Sequence, residues 1–130
     1  MILSIRTDKP EAEIGLFDAA GKELAYEVWT AHRQLAETIH GKIHELLESQ
    51  KADWPDLNGV AVFAGPGSFT GLRIGVSVAN ALGYGLQIPV AASQGEDWQD
   101  SGLEKLKGLS TFRPIEPEYG APIFITKPTK

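Results

Sequence analysis

An α/β fold built on one mixed sheet is predicted by two patterns in the chain. Three short apolar runs separated by polar turns open it, and from about residue 31 helical and strand patterns alternate. The resulting order is β-β-β-α-β-α-β. Strands joined by tight turns pair antiparallel, whereas strands joined through a helix pair parallel, so the sheet must contain both arrangements.

The first run, Ile2-Leu3-Ser4-Ile5, meets Arg6-Thr7-Asp8-Lys9-Pro10, where Pro10 stops strand pairing. Residues 12–17 alternate in part and lead into Asp18-Ala19-Ala20-Gly21-Lys22, a hairpin turn. In the third run Leu24, Tyr26 and Val28 oppose Ala25, Glu27 and Trp29. A helix over 31–51 follows from Leu35, Ile39, Ile43 and Leu46, which form a single apolar stripe that lies on the sheet. Gly41 sits on the polar side of that helix, where it costs about 1 kcal/mol relative to Ala; a close neighbour or tolerance on an open face would explain it. After the loop 53–58, Val60-Ala61-Val62-Phe63-Ala64 is apolar throughout, the mark of a strand covered on both faces. A glycine-dense turn then enters a helix running to about Leu86, followed by a strand over 88–92. Beyond Ser93 the pattern weakens to a short amphipathic stretch around 98–106, a proline-rich stretch over 111–120, and Pro122-Ile123-Phe124-Ile125 as a candidate terminal strand. The expected division is an N-terminal domain over 1–93 and a tail over 94–130 packed on the same domain.

With 130 residues, 42% of them hydrophobic, the chain can bury one core and is too short for two ordinary domains. Cysteine is absent, which removes disulfides and thiolate chemistry. The opening residues lack the length and basic flank of a signal peptide, no run approaches a membrane span, and a cytoplasmic location is expected. Net charge is −5, from 17 acidic and 12 basic residues, and the basic ones are scattered. Unaided binding to nucleic acid is therefore not expected.

The turn Gly65-Pro66-Gly67-Ser68-Phe69-Thr70-Gly71-Leu72-Arg73-Ile74-Gly75 is the densest signal in the chain. Free N–H groups at a helix start attract phosphate, but the spacing fits neither standard loop. Leu72 stands where a Walker A lysine would follow Gly71, and Gly67 and Gly71 are one residue too far apart for the dinucleotide fingerprint. Ser68 suits a helix cap; a nucleophile elbow would need glycine at position 70, which is Thr70.

At roughly 100° per residue, Asn80, Arg73, Tyr84 and Ser77 fall in one narrow polar stripe of the helix that follows. Apolar or small residues fill the rest, which implies burial against the sheet and against something else. A partner protein is the preferred second neighbour, with the C-terminal segment of the same chain as the alternative. Gly71, Gly75, Ala79 and Gly83 recur every four residues and permit another backbone to come close.

Other chemistry is sparse. His40 and His44 have helical metal-ligand spacing, but Gly41 replaces the glutamate of the zincin pattern, so solvated histidines are expected. His32, near the helix start, suits capping or packing, and Asp8 and Asp18 suit turns better than metal. No catalytic residue and no metal ligand is assigned.

The turn from Gly65 to Gly75 resembles the signature of the TsaB family, also called YeaZ, of bacterial tRNA threonylcarbamoyladenosine biosynthesis. Ile2-Leu3-Ser4-Ile5, His32-Arg33-Gln34 and Ile88-Pro89-Val90 are consistent with it. The resemblance implies the N-terminal half of an actin-like, Hsp70-like ATPase fold of ribonuclease H type, and a noncatalytic scaffold. Such scaffolds pair with the catalytic subunit TsaD, are joined by the ATPase TsaE, form homodimers in isolation and meet tRNA only indirectly. Phe69, Leu72, Arg73, Val76, Asn80, Gly83 and Gly41 are the contacts it implies, with Gly65, Pro66, Gly67, Ser68, Thr70, Gly71 and Gly75 forming the motif turn. Arg6-Thr7-Asp8 departs from the Asp-Thr-Ser type turn of related ATPases, so no intrinsic cofactor is expected and ATP and Mg²⁺ are left to the complex. Ordinary members continue into a second similar domain, whereas about 37 residues follow Ser93 here, which suggests a form lacking most of that domain.

Overall fold

The computed structural model describes residues 1–31, 34–67 and 69–117. Five strands, β1 (Ile2–Arg6), β2 (Glu11–Phe17), β3 (Glu23–Thr30), β4 (Gly59–Phe63) and β5 (Val90–Ser93), form one sheet in the order β3-β2-β1-β4-β5. β1 pairs antiparallel with β2, and β2 with β3, while β1–β4 and β4–β5 are parallel. The mixed sheet follows the predicted order, because each tight turn and each helical crossover sets the direction of the next strand.

Register places alternate residues on opposite faces. Leu3, Ile5, Ile14, Leu16, Val60, Val62 and Val90 join the main core with α1 (Leu35–Ser49) and α2 (Phe69–Leu86). Ala61 and Ala91 point the other way, to Leu106 of α3 (Trp98–Lys107). The protein is thus three layers, with α1 and α2 on one face and α3 on the other. Ile39, Ile43 and Leu47 of α1 are fully buried, each contributing about 1.5–3 kcal/mol.

Element ends differ from expectation for identifiable reasons. α1 starts after its N-cap residue Gln34 and stops before Lys51, whose φ of 56° lies in the left-handed region. The last strand begins at Val90 rather than 88, because Pro89 has no N–H; its carbonyl accepts from Val60 at 3.1 Å. Asp18 folds the hairpin turn, accepting from the N–H groups of Ala20 and Lys22, both at 2.9 Å. His32, Arg33, Ser68 and the candidate strand at 122–125 lie outside the described residues.

Candidate functional site

At the carboxyl end of β1, Thr7 is the point on which the glycine turn closes. Its Oγ1 donates to the Gly71 carbonyl at 2.6 Å. A methyl group on Gly71 would stand 2.1 Å from the Thr7 carbonyl oxygen, and one on Gly75 would stand 2.3 Å from Thr7 Oγ1. The close backbone approach encoded by these glycines is therefore to β1 of the same chain. Gly65 adopts φ +112°, a backbone region that favours glycine, and is joined to Pro66 by a cis bond. Gly67 rests on Asp8, whose Cβ lies 2.7 Å from where a Cβ at 67 would be.

Asp8 is held by Arg6 through both oxygens, Nε–Oδ1 at 2.8 Å and Nη2–Oδ2 at 3.3 Å. The Arg6 guanidinium also lies 3.9 Å over the Phe63 ring. The Asp8 carboxylate is thus engaged by Arg6 while its side chain is pressed on Gly67.

The expected contact residues of α2 divide by helical phase. Leu72 is 0% exposed and packs with Phe63 and Trp98, and Val76 is 4% exposed within the main core. Gly83 faces Val90 and Phe112, and Asn80 is bonded to the main chain of Ile115. These four residues are thus engaged inside the chain, which corrects the expectation that they face a partner. Most of the broad apolar arc of α2 packs on the sheet, on α1 and on the segment carrying Phe112 and Ile115. What remains open is Arg73, Ser77 and Tyr84 of the predicted polar stripe, with Ala81 and Gly85 beside them. Thr70, Arg73, Ile74 and Ser77 line a shallow pocket of about 220 Å³, and Tyr84 is 70% exposed. Gly41 on α1 is exposed with no neighbour within 4 Å. The Phe69 side chain lies outside the described residues.

Between the helices, His40, Trp54, Ala81, Leu82, Gly85 and Leu86 line an open groove of about 290 Å³. His44 stacks on Trp54, with ring centroids 6.0 Å apart and planes 7° from parallel, and approaches Asp53 at 3.8 Å and Glu48 at 4.0 Å. The histidine pair thus brackets an indole at the groove's edge. Among the described residues no group of three His, Asp or Glu side chains could hold a metal, and no helix is long and apolar enough to cross a membrane.

A polar group on the α3 side of the sheet escaped the sequence pattern. Tyr26 donates to Glu13, and Gln99 of α3 donates to the Tyr26 hydroxyl at 3.1 Å. Burial, reinforced by the Glu13 hydrogen bond, pushes the Tyr26 phenol well above its usual range. Gly15, directly opposite Tyr26 in the hairpin, leaves room for the ring; a strand glycine facing an aromatic is the signal that marks this contact.

Residues 29–93, half of the chain, match the family model described as TsaD: tRNA N6-adenosine threonylcarbamoyltransferase. The tRNA threonylcarbamoyladenosine biosynthesis protein TsaB of Escherichia coli K12 is 29% identical over 89 residues, 68% of this chain and 38% of that protein. The tRNA N6-adenosine threonylcarbamoyltransferase of Geotalea daltonii is 48% identical over 62 residues, 46% of this chain and 18% of that protein. YeaZ from Pseudomonas aeruginosa superposes with a TM-score of 0.66 at 27% identity, over 72% of this chain and 43% of that one. The chain therefore spans less than half the length of each. On these matches the chain, with its mixed sheet and flanking helices, belongs to the tRNA N6-adenosine threonylcarbamoyltransferase family as a TsaB (YeaZ) member with the actin-like fold.

Proposed function

We propose that this chain acts in tRNA threonylcarbamoyladenosine synthesis as a noncatalytic scaffold in the cytoplasm, docking a TsaD catalytic subunit on the open face of α1 and α2. The observation that carries this reading is the groove between the two helices. It is lined by Ala81, Leu82, Gly85, Leu86 and Trp54, and Tyr84 on the same helix is exposed. Small and apolar side chains at a helix surface let a second helix come within packing distance, and exposed aromatic rings are favoured anchors at interfaces. The contact set is accordingly redrawn around Arg73, Ser77, Ala81, Tyr84, Gly85 and Gly41. Leu72, Val76, Asn80 and Gly83 leave it.

In isolation the same face supports a homodimer, which the catalytic subunit replaces. TsaE joins at the level of the complex, ATP and Mg²⁺ enter there, and tRNA is met only through the complex. Sedimentation of the chain alone and then mixed with TsaD tests this. The expected result is loss of the homodimer and growth of a heterodimer; a homodimer that persists beside free TsaD would overturn the reading.

A further inference from the structure

Residues 109–117 have no regular secondary structure, yet they lie along α2 in a defined register. Asn80 grips the main chain of Ile115 with both ends of its amide: Nδ2 donates to the Ile115 carbonyl at 2.9 Å, and the Ile115 N–H donates to Oδ1 at 3.0 Å. This pair imitates one rung of a strand ladder. It recognises extended backbone and makes no demand on the side chain of the gripped residue.

About one turn along α2, a slot for an aromatic ring is cut by Gly83. A Cβ there would stand 2.5 Å from Phe112 Cδ1, and the Tyr84 ring meets Phe112 edge-on at 6.1 Å. Phe112 and Ile115 both reach the core. Pro114 between them and Pro117 beyond favour an extended path. The segment runs antiparallel to the helix, with Phe112 beside Gly83 and Ile115 beside Asn80.

The slot recognises a ring, the clasp recognises a backbone, and neither uses the covalent link to α3. We propose that Asn80, Gly83 and Tyr84 form a peptide-binding notch for an extended aromatic-x-Pro-aliphatic segment, filled in cis by the chain's own Phe112 to Ile115. A short tether gives the internal segment an effective concentration of about millimolar, so an outside peptide is held off until the internal one is weakened. The notch lies on the flank of α2 away from the groove with α1 and shares only Tyr84 with the face proposed to dock TsaD.

The test uses the whole chain carrying Phe112→Ala and a fluorescent peptide of residues 109–117, followed by anisotropy. The variant is expected to bind the peptide at least tenfold more tightly than the unaltered chain, and adding Asn80→Ala is expected to abolish that gain. Equal binding to both chains, or none to the variant, would overturn the proposal. If Phe112→Ala does not fold, hydrogen exchange of the Ile115 amide in the intact chain gives a second measurement. Asn80→Ala is expected to speed that exchange at least tenfold, and an unchanged rate would remove the clasp and the notch with it.

Discussion

At the residue scale, two glycines of similar helical setting have opposite roles. Gly71 meets the Thr7 carbonyl with no room for a methyl group, whereas Gly41 has open space around it. Gly71→Ala is expected to cost about 3 kcal/mol through forced overpacking, measured as a fall in denaturant midpoint. Gly41→Ala is expected to add about 1 kcal/mol of stability, since only backbone entropy changes. Tyr26 supplies a pH signature. Its phenol titrates higher in the folded chain than in the unfolded one, so its contribution is complete below about pH 10 and is lost as pH rises above that value. Tyr26→Phe is expected to flatten the alkaline fall of the unfolding free energy, followed by urea denaturation at several pH values. The glycine spacing at 71 and 75 was legible in the sequence as close approach. Which backbone approaches was not, because Thr7 is remote along the chain and only the β1–β4 pairing brings it near.

At the element scale, α2 shows how a correct helix and polar stripe still left Leu72, Val76, Asn80 and Gly83 assigned to a partner although they are engaged within the chain. Asn80, Arg73, Tyr84 and Ser77 do share one face, roughly 80–140° around the helix from the buried Leu72. The apolar arc was too broad for the sheet alone, and the missing cover was assigned mainly to another protein. Part of that cover comes from α1 and part from Phe112 and Ile115, in a segment without periodicity that pattern reading could not place. The consequence is directly measurable. Val76→Glu buries an unpaired carboxylate in the core and is expected to destabilise the chain by about 3 kcal/mol or more, seen as a large drop in melting temperature. Ala81→Glu, on the exposed arc, is expected to leave the melt nearly unchanged.

At the scale of the whole molecule, strand directions and layer order were legible because turn chemistry and crossover helices leave few topologies open. Helix and strand ends were less so, being set by single residues such as Pro89 and Lys51. The face available for docking depends on contacts among α1, α2 and residues 112–115, distant in sequence and joined only by the fold. The central claim is that this face receives TsaD through the groove between α1 and α2. Its most direct test is calorimetric titration of the chain with a TsaD catalytic subunit, comparing the unaltered protein with a folded Ala81→Glu variant. The account predicts binding by the former and at least tenfold weaker binding by the latter; equal affinity for both would contradict it.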